Sequence, residues 1–468
     1  MTTSKRLFVA AAVILISATI ISGQRRTLDA DYRDVAGRLI GAALVDEGGW
    51  DKLAYLTTRI GHRLSGSTNL EKAIQWASER MKADGLENVK LQPVKVPHWV
   101  RGRESARMVE PYEKQLSILG LGGSIGTPAA GVAGSVVVVS SFAELEALGA
   151  AKVKGKIVLY DMPWQGYGPT RVYRTDGASR ASKLGAIATL VRSITNSSLY
   201  TPHTGNQTYA DGITPIPVAA ITVEEAALMH RLTETGQDVQ VRLQMEAKML
   251  PDADSFNVMG EIVGREKPDE VVVLGGHIDS WDVGQGAHDD GGGVISAWQA
   301  VVLMKQLGLR PRRTVRAVGW TNEENGALGG AMYRTALGDN VKKHVAAIEM
   351  DGGSETPVGF GFSINGLTPD KPEHAAVKAK LQQIVKLLEG IGVNSISNGG
   401  GGTDIEPLGA AGVPLLGLLT SGEHYFDWHH TNSDTLDKVN PQDLRKCIAT
   451  LAVMAYILAE MPEALLNR

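Results

Sequence analysis

The sequence predicts an α/β protein in which a mostly parallel sheet carries helices on both faces. After residue 255, short apolar segments alternate with segments that repeat apolar residues every three or four positions. This alternation is typical of parallel sheets that helices cover on both sides. In addition, histidine and carboxylate side chains follow several of the predicted strands, at the sheet edge where such folds bind ligands.

The amino-terminal region predicts helices and then a strand. Residues 51–60 and 69–86 show helical periodicity, and the second segment follows a Ser/Thr-rich turn and stops at Gly85. Residues 88–99 alternate as a strand does, and we expect that strand to end at Pro97. This order is typical of the opening of an α/β unit.

A β-rich block with few helices occupies the middle of the chain. Residues 131–140 and 153–162 are short β-rich runs divided by glycine, and residues 179–192 predict an amphipathic helix. An apolar strand that turns into a helix follows at residues 216–232. We therefore predict an inserted, β-rich domain over residues 109–246.

Beyond the block, the regular pattern of strands and helices resumes at residue 255. The predicted elements are strand 271–276, helix 293–308, strand 314–320, strand 345–350, helix 373–392, strand 414–420 and helix 441–461. The insertion would thus divide one α/β domain into two parts, residues 24–108 and 247–468.

Composition restricts the possible partners. The chain has 468 residues, 43% of them hydrophobic, and a formal net charge of −4, which is typical of a folded globular protein. It has no long basic run, so nucleic acid is not an expected partner, and small molecules or peptides are favoured. The single cysteine, Cys447, excludes an intramolecular disulfide and is expected to be a buried packing residue.

The amino terminus predicts export. Lys5 and Arg6 precede an apolar run at residues 7–21, which has the length of a signal-peptide core and is short for a membrane span. We predict a signal peptide over residues 1–23 and a secreted or periplasmic protein without stable membrane contact after its removal. The alternative is an uncleaved amino-terminal membrane anchor.

Ligand-type side chains follow four of the predicted strands. Two imidazoles and several carboxylates, without cysteine, form a nitrogen and oxygen set that suits zinc, cobalt or manganese. Carboxylates crowded together without a cation would repel one another strongly. The sequence therefore predicts a metal site. The strand-end residues are His277, Asp279, Glu323, Glu324, Asp351, His429 and His430.

Longer motifs around these residues resemble a known family. The stretches "GGHIDSWDVGQGAHDDGGG" at 275–293, "NGGGGTDIEPL" at 398–408 and "HHTNSDT" at 429–435 are similar to those of the co-catalytic zinc aminopeptidase and glutamate carboxypeptidase family. The similarity spans essentially the whole chain after the predicted signal peptide. The middle block resembles the protease-associated domain that is often inserted in such enzymes.

The resemblance implies two zinc ions per chain and a role for each ligand. One zinc would be held by His277, Asp289 and Asp351. The other would be held by Asp289, Glu324 and His430, so Asp289 would bridge the two ions.

The neighbours of the bridging carboxylate are not expected to be ligands. Asp289 is preferred to Asp290 because of its spacing from the end of the family motif, in which the residue after the bridge often follows a cis peptide. Asp290 can instead cap the helix that begins beyond it. We assign His288 no role.

The resemblance also implies catalytic and binding roles. Glu323 would be the general base acting on a water whose pKa two metal ions lower towards roughly 7. Asp279 would orient the His277 imidazole, and His429 would stabilise the tetrahedral oxyanion. The expected substrate-binding residues are Tyr425, Thr403 and Asp404.

The predicted function is an exported di-zinc exopeptidase that hydrolyses dipeptides or short peptides, and the resemblance implies a homodimer. Aminopeptidase specificity on the same site, a single-zinc glutaminyl-cyclase-like transferase and a binding protein without metals are the alternatives. A carboxypeptidase needs a basic group for the substrate carboxylate, and Arg63, Arg101 and Arg103 do not decide the question.

Overall fold

Two eight-stranded sheets organise the computed structural model, which describes residues 27–466. The predicted signal peptide at residues 1–23 lies outside the described residues. Within residues 27–466, no helix combines the length and the apolar character needed to cross a membrane.

The described strands and helices are as follows. The strands are β1 (Glu87–Val100), β2 (Glu104–Glu110), β3 (Lys114–Leu116), β4 (Ile118–Gly120), β5 (Val132–Val139), β6 (Ile157–Tyr160), β7 (Ala188–Arg192), β8 (Val218–Ile221), β9 (Gln240–Met245), β10 (Lys248–Ile262), β11 (Lys267–His277), β12 (Arg313–Trp320), β13 (His344–Glu349), β14 (Pro357–Ser363), β15 (Ser395–Asn398) and β16 (Leu415–Thr420). The helices are α1 (Leu28–Leu44), α2 (Gly48–Tyr55), α3 (Thr68–Ala83), α4 (Phe142–Val153), α5 (Tyr167–Lys183), α6 (Val223–Glu234), α7 (Gly292–Gln306), α8 (Leu328–Leu337), α9 (Pro372–Val385), α10 (Glu406–Ala410), α11 (Tyr425–Trp428) and α12 (Pro441–Glu460).

The first sheet is parallel at its centre and mixed towards its edges. Its strand order is β1-β10-β12-β11-β13-β16-β14-β15. Strand β11 runs parallel to both β12 and β13, and β13 runs parallel to β16. The pairs β1–β10, β10–β12 and β14–β16 are antiparallel. The predicted α/β class is therefore confirmed, with a mixed sheet in which the central strands are parallel.

Alternate residues of β11 face two different helical layers, which explains its apolar run. Val272 and Leu274 pack in the largest core together with residues of α1, α7 and α12. Val271 and Val273 pack on the other face with Trp320 and with residues of α8 and α10. A central parallel strand is buried on both faces and so needs apolar residues at every position.

The second sheet is formed by strands between Glu104 and Met245, in the order β3-β2-β9-β5-β6-β7-β8-β4. Strands β5 to β8 are mutually parallel, and α4, α5 and α6 pack against them. The chain enters and leaves this sheet side by side, because Glu104 on β2 pairs with Met245 on β9. The first strand begins five residues before the start predicted at 109.

Two predicted element bounds are wrong. Strand β1 continues past Pro97 to Val100 because its register shifts between Val96 and His98, where the missing proline N–H disrupts no ladder. The helix predicted at 179–192 belongs to α5, which ends at Lys183. Gly185, with φ of 86°, turns the chain there into strand β7.

Candidate active site

Eight of the eleven predicted site residues line a cleft between the two sheets. The cleft has a volume of about 810 Å³ and lies beyond the carboxyl ends of β12 and β13, facing α5. Its two walls differ in chemistry. The wall on the first sheet contains Asp289, Glu323, Glu324 and Asp351, whereas α5 contributes Tyr167, Arg171, Arg174 and Thr175.

Asp289 joins two groups of ligand-type atoms. On one side, His277 Nε2 lies 3.2 Å from Asp289 Oδ1 and 3.4 Å from Asp351 Oδ1. On the other side, His430 Nε2 lies 3.2 Å from Asp289 Oδ2 and 3.1 Å from Glu324 Oε2. One carboxylate oxygen of Asp289 therefore faces each group, as a bridging ligand requires.

Unpartnered oxygens indicate that these groups fit metal ions. Within the described residues, Asp289 Oδ2 and Asp351 Oδ1 are buried and accept no hydrogen bond. Buried carboxylate oxygens are normally hydrogen-bonded or coordinate a metal. The combination of imidazole nitrogen and carboxylate oxygen suits zinc, and His277, Asp289 and Glu324 can place ligand atoms within 4.8 Å of one another.

Asp290 has a different role from Asp289 although the two are adjacent. Its Oδ2 accepts a hydrogen bond from His277 N at 3.0 Å, and its Oδ1 accepts one from Gly293 N at 3.1 Å. The side chain thus caps α7 and ties it to the end of β11. The peptide bond between Asp289 and Asp290 is cis.

Asp279 supports both His277 and the acidic pair on the next strand. The backbone carbonyl of Asp279 lies 3.0 Å from His277 Nδ1, whereas its carboxylate is 3.6 Å from that nitrogen. The carboxylate instead accepts hydrogen bonds from Glu323 N at 3.2 Å and Glu324 N at 3.4 Å. It therefore fixes the turn in which two adjacent glutamates point to different places.

Burial shapes the electrostatics of the acidic wall. It raises the pKa of Glu323 to about 7, and the Asp351 carboxylate adds to the rise. It raises the pKa of Glu324 to about 8, with a further contribution from Asp289. Burial would also raise the pKa of Asp289, but the neighbouring His277 and His430 imidazoles outweigh it and hold that pKa well below its usual range. Carboxylates this crowded favour a bound cation.

Asp434 supports the loop that carries the bridging carboxylate. Its two oxygens accept hydrogen bonds from the backbone N–H groups of Ala287, His288 and Asp289, at 3.1, 2.7 and 3.1 Å. In the sequence this residue stands out only as part of the motif "HHTNSDT". No periodicity identifies such a contact, because the two segments are far apart in the chain.

Arg63 is structural and does not reach the substrate. It is fully buried, and its guanidinium donates to the carbonyls of Ile278, Gln285 and Gly286 at 2.8 to 3.0 Å. It thereby holds the loop between β11 and α7. The other two arginines considered from the sequence also lie outside the cleft lining; Arg101 pairs with Asp282, and Arg103 pairs with Glu246.

The predicted substrate-binding residues separate into two sets. Thr403 and Tyr425 line the cleft. Asp404 does not, because it is fully buried beneath the cleft wall. Burial raises the pKa of Asp404 well above its usual range, and the neighbouring carboxylate of Glu349 adds to the rise.

His429 lies in the cleft beside His430. The two imidazoles stack with their ring centroids 3.6 Å apart, and the Tyr167 ring meets His429 edge-on at 5.1 Å. Burial and the neighbouring His430 lower the pKa of His429 well below its usual range. The lowered pKa favours the neutral imidazole, which has one N–H to donate.

Thr204, between β7 and β8 of the second sheet, contacts His430, which follows β16 of the first sheet. Thr204 N donates to the backbone carbonyl of His430 at 2.9 Å, and Thr204 O lies 3.2 Å from His430 Nδ1. A metal on Nε2 would leave the proton on Nδ1, where Thr204 O accepts it. Arg174 donates to the same Thr204 carbonyl at 3.0 Å. Sequence reasoning missed Thr204 and Arg174, which are far from His430 in the chain and ordinary in type.

Comparison with known proteins places the chain in a family. The sequence model that describes peptidase family M28 matches residues 257–455 of this chain. The crystal structure of a peptidase M28 precursor from Shewanella amazonensis has a TM-score of 0.88 and 34% sequence identity, covering 94% of this chain and 99% of its own. The chain belongs to peptidase family M28. The family resemblance read from the sequence is thereby confirmed.

Other M28 relatives indicate the type of chemistry. Mouse carboxypeptidase Q is 44% identical over 93% of this chain and 91% of its own length. A zinc aminopeptidase from Bacillus subtilis shares the fold, with a TM-score of 0.66 and 19% identity over 90% of this chain and 96% of its own. Through the M28 family and its carboxypeptidase Q relatives, this chain is a metallopeptidase of exopeptidase type.

Proposed function

We propose that this M28 metallopeptidase is a di-zinc exopeptidase that hydrolyses dipeptides or short peptides. The observation that carries the proposal is the position of Asp289, with one carboxylate oxygen towards His277 and the other towards His430. In this arrangement His277, Asp289 and Asp351 would hold one zinc ion, and Asp289, Glu324 and His430 would hold the other. Bound together, the ions would acidify a water and polarise the scissile carbonyl.

Glu323 is the proposed general base. It lines the cleft next to the ligand Glu324, and its carboxyl has a pKa of about 7 in the metal-free protein because it is buried. Cations bound beside it would favour its ionised form at neutral pH. The carboxylate takes the proton of the attacking water and passes it to the leaving amine.

His429 is the proposed donor to the tetrahedral oxyanion. It lines the cleft, and burial keeps its imidazole neutral, so one ring N–H can hydrogen-bond a developing negative charge. Stacking on His430 and the edge contact from Tyr167 restrict the rotation of the ring. A donor held in place before the reaction needs little reorganisation in the transition state.

Substrate size follows from the cleft. A volume of about 810 Å³, bounded by α5, accommodates a short peptide. Thr403 and Tyr425 are proposed to contact it. We also propose that the second sheet is a protease-associated insertion, that the enzyme is exported through residues 1–23 into a secreted or periplasmic location, and that it acts as a homodimer.

Aminopeptidase specificity is the second candidate, and one residue favours it. Glu406 is exposed and lines the cleft, where its carboxylate could pair with a free substrate amine. A single-zinc cyclase-like enzyme is disfavoured because His277 and Asp351 complete a second ligand group.

A panel of dipeptides tests the proposed function. Unblocked, amino-blocked and carboxyl-blocked dipeptides are incubated with zinc-loaded protein, with chelator-treated protein and with chelator-treated protein to which zinc is returned. We expect hydrolysis that chelation abolishes and zinc restores. Turnover that survives complete removal of the metal would rule the mechanism out.

A further inference from the structure

A second, smaller cavity lies beside the loops that carry the proposed ligands. It has a volume of about 210 Å³, and none of its lining residues also lines the cleft. This volume is several times the ~30 Å³ that one water molecule occupies. It is also below the roughly 300 Å³ at which pockets for drug-sized ligands begin. The cavity therefore has room for one small molecule and not for a peptide.

His288 brings an unused hydrogen-bond donor to this cavity. Its side chain is 1% exposed, and its Nδ1 accepts a hydrogen bond from Ser354 N at 3.1 Å. Because Nδ1 is an acceptor, the imidazole carries its proton on Nε2. That nitrogen has no hydrogen-bond partner among residues 27–466. A buried donor without an acceptor costs free energy, so a ligand oxygen placed there would gain affinity from the contact.

The direction of this donor is fixed by the contacts on the rest of the residue. The His288 backbone N–H donates to Asp434 at 2.7 Å, which holds the main chain, and the bond from Ser354 N holds the ring. The imidazole cannot turn to find a partner elsewhere without breaking the second bond. The missing acceptor therefore has to enter the cavity.

Three carboxylates line the same cavity, those of Glu355, Glu423 and Asp443. Glu355 and Asp443 already accept hydrogen bonds from protein donors. The Glu423 carboxylate is exposed and has no hydrogen bond or ion pair within the part of the chain that the structure describes. Lys438, which also lines the cavity, is paired with Asp437. The wall therefore favours a cationic group on the ligand, and Glu423 is free to pair with it.

A donor and a carboxylate wall in one small cavity favour a ligand with two opposite charges. A simple anion would be repelled by the three carboxylates, and a simple cation would leave the His288 donor unpaired. A free α-amino acid carries a carboxylate and an ammonium group on a frame small enough for about 210 Å³. Hydrogen bonds between an ionised ligand group and the protein are also stronger than those between neutral groups.

We propose that this cavity binds a free amino acid, with the ligand carboxylate on His288 Nε2 and the ligand ammonium group on Glu423. The inference does not need the proposed function, although peptide hydrolysis would release such a ligand close to its site. His288 directly precedes Asp289, and Trp428, another lining residue, directly precedes His429. A bound amino acid would therefore contact both of the loops that meet at the bridging carboxylate.

Equilibrium dialysis of zinc-loaded protein against radiolabelled L-alanine tests the proposal. L-Alaninamide, which lacks the carboxylate, and propanoate, which lacks the ammonium group, serve as competitors. We expect each of them to bind at least about 10-fold more weakly than alanine, because each leaves one protein group unpaired. A competitor that equals alanine would overturn the proposal. Absence of alanine binding would also overturn it, since the cavity would then hold water only.

Variants distinguish this cavity from the metal cleft. His288→Leu removes the donor and should weaken alanine binding by about 10-fold, whereas His288→Gln, which keeps an N–H donor, should restore most of the affinity. Glu423→Gln should weaken binding to a similar extent, and it decides the question alone if His288→Leu does not fold.

The matched control is Glu373→Gln, at an exposed carboxylate on α9, which should leave the affinity for alanine unchanged. Alanine binding that is unchanged in both His288→Leu and Glu423→Gln would contradict the proposal, because the amino acid would then bind at the metals.

Discussion

The two walls of the cleft are built by different physical means. The first-sheet wall places Asp289, Glu323 and Glu324 on loops held at strand ends by buried side chains such as Asp279 and Asp434. The second-sheet wall is one helical face that carries arginine and tyrosine. The acidic wall is thus fixed by the strand ends of the first sheet, whereas the facing wall is formed by a helix that packs on the second sheet.

Replacing the proposed base tests the acidic wall alone. Glu323→Gln keeps the side chain's size and removes its proton acceptor, so we expect kcat to fall by about 10²- to 10⁴-fold. Zinc content should remain at the wild-type value, because Glu323 is not a proposed ligand. Steady-state kinetics and elemental analysis measure both quantities. Near-normal turnover would transfer the base role elsewhere, and Glu373→Gln, at an exposed position on α9, is the control.

Arg63 tests how rigidly the acidic wall is held. Lysine cannot reproduce the fork of hydrogen bonds to Ile278, Gln285 and Gly286. Because buried carbonyls would lose their donor, Arg63→Lys should lower the free energy of unfolding by about 2 to 4 kcal/mol. Denaturant unfolding measures the change. Arg38→Lys, at an exposed arginine with one bond to Leu307 O, should change it by less than about 0.5 kcal/mol.

Gly205 tests whether the second wall also supports the metal centre. Its φ is +137°, and a Cβ there would overlap the Arg174 guanidinium, so Gly205→Ala should displace the neighbouring Thr204 carbonyl from His430. Loss of such support typically weakens metal binding by about 10- to 100-fold. Competition with a zinc indicator should show this loss for one of the two ions. Unchanged affinity for both would confine the second wall to substrate recognition.

His203 gives the second sheet a pH dependence of its own. Burial lowers the pKa of this imidazole from about 6.5 to about 3, and the neighbouring His430 contributes. His203 therefore binds a proton below about pH 6.5 in the unfolded chain, but only below about pH 3 in the folded protein. The contribution of neutral His203 to the free energy of unfolding is fully present above about pH 6.5. It should fall by about 2 kcal/mol on acidification to pH 5.

Comparing variants isolates that contribution from the other buried groups. The slope of unfolding free energy against pH, measured by urea denaturation between pH 5 and 7, should be shallower in His203→Asn than in the wild type. Parallel slopes would mean that His203 titrates normally in the folded protein.

The two walls also differ in how far the sequence predicts them. The strand-end ligands could be predicted because an apolar run such as 271–276 shows where its strand ends. Parallel strands then bring their carboxyl ends to the same edge of the sheet. The resemblance then assigned roles to individual residues, including Asp289 over Asp290. Local sequence patterns thus identify the site residues that directly follow a predicted strand.

The rest depends on how the two sheets dock. Thr204 lies 226 residues from His430 in the chain, and their contact has no periodicity that reveals it. Arg171 and Arg174 fall in a segment whose helix was predicted too late in the chain, so their common face was not recognised. Asp404 and Thr403 were both expected to bind substrate, although Thr403 is exposed and Asp404 is buried.

Stepwise zinc addition to metal-free protein tests the central claim most directly. The claim is that Asp289 joins two metal sites that are both needed for turnover. Activity on an unblocked dipeptide, plotted against zinc bound per chain by elemental analysis, should reach its maximum only at two equivalents. Full activity at one equivalent would contradict the account and favour a single-zinc enzyme on the same fold.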